Sequence, residues 1–164
     1  MTIETERLEL IPLTSYQLKL WVEDIYALEK ELHCTYKAEP MEGFFLEIVK
    51  GQLEITEKDK SNYLWHSFWF LIRKKDRIVV GSADFKDVPN KNGEVEIGYG
   101  LGKEFEHNGY MTEAVKAMCN WAMKQEKVSH VIAETDLDGF ASQRILQRCG
   151  FLEEHREETA WWKK

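Results

Sequence analysis

Several residue classes are scarce in this chain of 164 residues, and each scarcity excludes something. There are three cysteines, Cys34, Cys119 and Cys149, an odd number whose spacing matches no metal motif. A disulfide framework is therefore not expected. The five histidines are scattered, none with a second ligand at metal spacing, so no metal is expected either. Only three prolines occur, Pro12, Pro40 and Pro89, each near an expected element boundary. No stretch reads as a linker, a repeat or low complexity, which predicts one domain over residues 1–164. No apolar run reaches the roughly 20 residues that span a bilayer. The opening residues lack the basic-then-apolar pattern of a secretory signal. Lys and Arg number 22 against 29 Asp and Glu, for a net charge of −7. That deficit of positive charge disfavours nucleic acid as a partner, because phosphate neutralisation needs a basic face. A reduced, cytoplasmic protein with no membrane partner fits all of this. The acidic balance suits a cationic amine as ligand, although it is also ordinary for soluble proteins.

Core-forming residues are plentiful: the chain is 43 % hydrophobic and 12 % aromatic, enough for a folded domain. Ile3 to Leu13 alternates as a strand. Thr14-Ser15 can cap a helix that places Leu18, Trp21, Val22 and Ile25 on one face. A second helix is expected over Ala27 to Leu32. A third is expected over Glu42 to Thr56, with Phe45, Ile48, Val49 and Leu53 in a stripe that Gly51 weakens. Glu57 to Asn62 reads as a polar loop. Trp65 to Ile72 and Arg77 to Phe85 read as a hairpin, and Asp87 to Gly93 as a turn.

The most informative stretch follows. Glu94-Val95-Glu96-Ile97-Gly98-Tyr99-Gly100-Leu101 reads as a strand, Glu106-His107-Asn108-Gly109 as a loop, and Tyr110 onward as a helix. Met111, Ala114, Val115, Met118, Cys119, Ala122 and Met123 recur with helical period along one stripe. The first four amides of a helix lack intrahelical partners and, with the helix dipole, favour an anion such as a phosphate. Gly109 removes a side chain where that anion would approach the backbone. The bland alternative is a core helix that happens to follow a glycine turn.

A second unit repeats the order. His130 to Thr135 reads as a strand, Asp136-Leu137-Asp138-Gly139 as a turn, and Phe140 to Cys149 as a helix. Ala141, Ile145, Leu146 and Cys149 share a face, Gly150 sits at a helix C-terminus, and Phe151 begins another strand. Thr159 to Trp162 reads as a last short strand. The strand at Val131 should run parallel to that at Glu94 through a helical crossover. A G-Y-M-T-E-A helix followed by A-S-Q-R-I-L-Q-R-C-G-F resembles the GNAT superfamily of acetyl-CoA-dependent N-acetyltransferases. The likeness is nearer to the branch that holds the ribosomal-protein N-terminal acetyltransferases, whose first strand Thr5-Glu6-Arg7-Leu8-Glu9-Leu10 also resembles.

That resemblance implies an α/β fold with a mixed sheet, splayed central strands and flanking helices. It implies acetyl-CoA as co-substrate, an amine acceptor and a homodimer. The family's phosphate loop, Gln/Arg-x-x-Gly-x-Gly/Ala, aligns with Glu106 to Met111: Gly109 matches, while Glu106 and Met111 depart. His107, Asn108, Gly109, Tyr110, Met111 and Thr112 are thereby implied to hold the phosphates. The backbone of Tyr99, Gly100 and Leu101 is implied to hold the pantetheine arm. Glu96 matches the position of a catalytic glutamate in some members; the alternative is an exposed strand carboxylate, as Glu94 could equally be. Ser142 is implied as a donor toward the cofactor sulfur, or else it bonds its own helix backbone. Arg144 and Arg148 either meet the adenosine phosphates or are solvated charges. The tyrosine acid that many members carry is Leu146 here, and the asparagine that often precedes the serine is Gly139. Trp65, Trp69, Trp161 and Trp162 either line an acceptor pocket or pack the core.

The function expected is direct acetyl transfer to a primary amine, because no cysteine falls in the implied site. Glu106, Gly139 and Leu146 keep open a second reading, a non-catalytic acyl-CoA-binding or regulatory module on the same fold.

Overall fold

A computed structural model describes residues 1–164 as a nine-stranded mixed sheet whose central strands are covered on both faces. The chain opens with β1 (Ile3–Glu4) and β2 (Leu8–Pro12). Next come α1 (Ser15–Glu23), α2 (Ile25–Leu32), the two-residue strand β3 (Thr35–Tyr36), α3 (Gly43–Lys58) and the single turn α4 (Tyr63–His66). The sheet resumes with β4 (Phe68–Arg73), β5 (Ile78–Phe85) and β6 (Glu94–Leu101). It continues through α5 (Tyr110–Met123), β7 (His130–Asp136), α6 (Phe140–Arg148), β8 (Leu152–Arg156) and β9 (Thr159–Lys163). Across the sheet the order is β1-β2-β4-β5-β6-β7-β9-β8, with β3 added in parallel to β5. β6 and β7 form the other parallel pair, as the crossover through α5 requires.

Strand alternation explains why the sheet has two cores. Along β4, Trp69 and Leu71 enter a cluster of 25 buried residues shared with α5 and α6. Phe68, Phe70 and Ile72 enter a second cluster of 10, shared with α1, α2 and α3. Trp21 anchors the second core edge-on against Phe45, Phe68 and Phe70. Thr14 begins α1 with a capping box, its hydroxyl accepting from the Gln17 amide.

Three local expectations change. Trp65 is not in a strand: residues 63–66 form a helical turn, and the strand begins at Phe68. A short apolar run does not distinguish helix from strand. Here the turn lets Trp65 pack on Phe85 and Trp121, and the Trp69 indole donate to the Leu64 carbonyl at 3.2 Å. The polar segment after Glu57 extends α3 to Lys58 and then makes a 3₁₀ turn at Lys60–Asn62, where the Asn62 amide donates to the Asp59 carboxylate. Met123 ends the α5 stripe but is 41 % exposed, because it falls on the last helical residue.

Candidate active site

The site begins where the sheet opens. β6 pairs with β7 only from Glu94 to Glu96, and the ladder stops at Glu96 and Ile132. From Ile97 to Leu101, β6 stays paired with β5 on its other side, while β7 continues to Asp136 paired with β9. The two strands therefore diverge with unpaired backbone facing the gap. The expected splay of the central strands is present.

On one side of the gap lies a cavity of about 290 Å³ between the start of α5 and α6. The amides of residues 107–112 donate to no protein acceptor, and no side chain caps α5. His107 at φ +66° and Gly109 at φ +78° are both left-handed, which bends the loop back so that its amides face inward. Only Gly109 adopts that conformation without steric strain. His107, Gly109, Met111 and Thr112 line the cavity, with Leu101 and Arg144 opposite. Arg148 lines it too. Glu106 also borders it, so one carboxylate shares the lining with two arginines and the free amides that begin α5.

Two expected contacts are absent as side chains. The Asn108 amide donates to the Phe105 and Glu106 carbonyls, bracing the loop from within. The Tyr110 ring is buried under the Arg7 guanidinium, 4.4 Å from its centroid, and its hydroxyl accepts from Arg73. Asn108 and Tyr110 can therefore offer a ligand only their backbone amides.

Arg7 fixes the loop from behind. Its Nε donates to Glu113 Oε1 at 2.8 Å, its amide to Glu113 Oε2 at 2.8 Å, and its terminal nitrogen to the Asn108 carbonyl at 2.8 Å. Thr5 donates to the same carboxylate. Burial would raise the Glu113 carboxyl, but these hydrogen bonds together hold it below its ordinary value. The Thr5-Glu6-Arg7 segment thus clamps the first turn of α5.

On the other side of the gap lies a cavity of about 860 Å³, walled by α3 and the residues before it. Phe44, Phe45, Ile48 and Phe68 supply its apolar wall. None of Trp65, Trp69, Trp161 and Trp162 lines either cavity. Trp69 and Trp162 are buried core residues, while Trp161 stacks on His155 on the sheet's far strands.

Asp84 stands in the wall of the larger cavity and is 5 % exposed. Its carboxylate receives no hydrogen bond or salt bridge from a protein group, although the Lys86 side chain lies beside it. Burial pushes its pKa up to about 7, Lys86 draws it down and Glu96 raises it again. Gly98 explains the fit: a Cβ there would lie 2.9 Å from Asp84 Oδ1. Glu96 does not line the cavity. Its carboxylate pairs with Lys86 Nζ at 2.8 Å. Glu94 pairs with Lys163 at 2.9 Å.

The two cavities meet at Tyr99, Gly100 and Ser142. The Tyr99 and Ser142 hydroxyls are 2.7 Å apart. Ser142 therefore bonds across the gap rather than to its own helix. Burial pushes the Tyr99 phenol up to about 12, so it remains a donor at neutral pH. Leu146, at the position of the family's tyrosine acid, is fully buried in the core.

A family model, the acetyltransferase (GNAT) domain, matches residues 7–152. The chain belongs to the GNAT acetyltransferase family. Its activity is acetyl transfer from acetyl-CoA to an amine. It is 32 % identical over 158 residues to YjdG of Bacillus subtilis (strain 168), an uncharacterized N-acetyltransferase, covering 94 % of this chain and 91 % of that one. Among solved structures, the ribosomal-protein-S5-alanine acetyltransferase of Vibrio fischeri superposes with a TM-score of 0.70 at 18 % identity, over 100 % of this chain and 96 % of that one. RimL, a ribosomal L7/L12 alpha-N-protein acetyltransferase solved with coenzyme A, superposes with a TM-score of 0.70 at 13 % identity, over 100 % and 97 %. At those identities the likeness is one of fold. In this GNAT acetyltransferase the amides of residues 107–112 stay free despite the substituted Glu106 and Met111, because they belong to the backbone rather than to side chains.

Proposed function

We propose that acetyl-CoA lies through the gap between β6 and β7, its phosphates on the amides of residues 107–112 and beside Arg144, and its thioester at Tyr99, Gly100 and Ser142. A primary amine in the larger cavity then attacks directly. The observation that carries this reading is that the two cavities join at those three residues and nowhere else along their linings. One cavity has an anion cradle and the other a buried carboxylate, which is what a two-substrate transfer needs.

Asp84 takes one proton from the entering ammonium. The freed lone pair forms the N–C bond at the thioester carbonyl, and the C–S bond breaks with its electrons on sulfur. A second nitrogen proton reaches sulfur through the Tyr99–Ser142 hydroxyl pair. The products are the N-acetyl amine and the free thiol of CoA, and Asp84 returns its proton to water. Glu96 acts on this step through Lys86, whose charge it pairs, and so positions and tunes Asp84. No acyl-enzyme is invoked, since Cys34, Cys119 and Cys149 are buried and line neither cavity. Three free thiols suit a reducing compartment, and we assign the chain to the cytoplasm.

The test is a thermal-shift titration with acetyl-CoA and with CoA, followed by thiol release over a panel of amines. Saturable stabilisation by about RT ln(1 + [L]/Kd), together with amine-dependent thiol release, supports the reading. No stabilisation at millimolar acetyl-CoA overturns it.

A further inference from the structure

The larger cavity carries five carboxylates, Glu39, Glu42, Asp84, Glu134 and Asp136, against a single lysine. That lysine, Lys86, is already paired with Glu96 outside the cavity. Glu39, Glu42, Asp84 and Asp136 have no cationic side chain within salt-bridge distance, and Glu134 only accepts from the Thr159 hydroxyl. So concentrated a charge is unfavourable unless a cationic guest offsets it.

Two of these carboxylates are aimed by glycines. A Cβ at Gly98 would lie 2.9 Å from Asp84 Oδ1, and one at Gly100 would lie 3.1 Å from Glu39 Oε1. Gly98 and Gly100 are two residues apart on β6, so they face the same side about 7 Å apart along the strand. Asp84 is nine-tenths buried and unpartnered; Glu39 is half-buried, and burial raises its carboxyl above the ordinary range. Between and beside them runs the apolar wall of Phe44, Phe45 and Ile48, with Phe44 at the mouth and 81 % exposed.

We infer that the acceptor is a linear aliphatic di- or polyamine, its reacting ammonium at Asp84 and its second ammonium at Glu39. This rests on the proposed function of the site. Glu42, Glu134 and Asp136 supply the field that draws the polycation in, and the phenylalanines cover its methylene chain. A four-carbon diamine places its two nitrogens at about the separation of the two glycines. A peptide N-terminus, by contrast, carries a single cation and would set its backbone carbonyls beside these carboxylates, leaving Glu39 without a partner.

The experiment measures thiol release from acetyl-CoA with 1,4-diaminobutane, spermidine, n-butylamine and an Ala-initiated tetrapeptide, on the intact chain and on Glu39→Gln. A partly screened ion pair is worth roughly a factor of ten in kcat/KM. The expected result is that the diamine and spermidine exceed n-butylamine by about that factor or more. Glu39→Gln should then remove most of that preference, chiefly through KM. Equal rates for the diamine and the monoamine would overturn the inference, as would a tetrapeptide that outcompetes both polyamines. Stabilisation by acetyl-CoA with no release from either polyamine would also overturn it, while leaving the cofactor site standing. Loss of acetyl-CoA stabilisation itself would instead fail the reading beneath it.

Discussion

Asp84→Asn should make this acetyltransferase more stable at alkaline pH while removing its fast turnover. The reason lies in how the carboxyl titrates. Its pKa is pushed from an ordinary 3.8 up to about 7, with burial the principal cause. Between those values the folded chain binds a proton that the unfolded chain does not. Stability therefore falls as pH rises through that window, and the group is most unfavourable once it is ionised in place. Integrating the two titrations, Asp84 opposes folding by about 4 kcal/mol at pH 8 and by about 2 kcal/mol at pH 5. An asparagine of nearly the same shape does not ionise. Relative to wild type the variant should gain about 2 kcal/mol between pH 5 and pH 8, or roughly 4–8 °C in Tm for a chain of this length. Urea melts of both proteins at pH 5, 6, 7 and 8 measure it. Groups remote from Asp84 cancel in the difference, and Lys86, which Asp84 helps to raise above its ordinary value, stays charged across this range. Parallel stability curves across that range would show that Asp84 is solvated or paired, and would remove the basis for its role as the base. In the same preparations kcat/KM for an accepted amine should fall about 100-fold or more. The wild-type profile should rise with pH through about 7 as Asp84 ionises.

Gly109→Ala forces an alanine to φ +78°, so it should lose about 1 kcal/mol of stability and raise the KM for acetyl-CoA, read by melts and thiol release. Arg7→Ala removes the contacts to Glu113 and Asn108 and should weaken acetyl-CoA binding by about tenfold with a smaller effect on kcat, read by titration calorimetry. Ser142→Ala and Tyr99→Phe should each lower kcat about 10- to 100-fold, and the double variant should lose little more, because the two hydroxyls form one unit. Glu96→Gln separates the two carboxylates: with Asp84 as base, removing the Glu96 charge lowers the Asp84 pKa and moves the rising limb of the pH profile to lower pH, whereas near-total loss of turnover would assign the proton transfer to Glu96 itself.

Elements with strong local periodicity were legible in the sequence. The α5 stripe, the Thr14 cap, the β6 to loop to α5 order and the final strand at Thr159 all follow from neighbouring residues, and the structure has them. The errors fall where tertiary contact decided between local options. Trp65 lies in an apolar run short enough for either strand or helix, and its packing on Phe85 and Trp121 selected the turn. The tryptophans were ambiguous for the same reason: whether an indole lines a cavity or a core depends on which sheet face it occupies. In β4 both faces are covered, whereas in β9 Trp162 enters the core and Trp161 faces outward beside His155.

The site divides along the same line. The proposed anion cradle depends on backbone direction, which a glycine and a helix start reveal in the sequence. The acceptor side depends on side chains from distant segments meeting in space. Tyr99 and Ser142 are separated by 43 residues, and their hydroxyl pair has no local signature. Asp84 is the clearest case. In the sequence it is one carboxylate among 29 acidic residues, at the end of a strand whose neighbours are apolar. One signal was present: the single charged residue in the run Val79 to Phe85, opposite a strand bearing Gly98. A strand covered on both faces tolerates such a residue only if something accounts for its burial. The glycine opposite supplies the space, but the sequence holds no counter-charge that reaches it beyond Lys86, which Glu96 already engages. A buried carboxylate with room beside it and no committed cation is the condition under which an incoming ammonium becomes the missing partner. For that reason the acceptor chemistry follows from Asp84 and its neighbours rather than from the family's motifs.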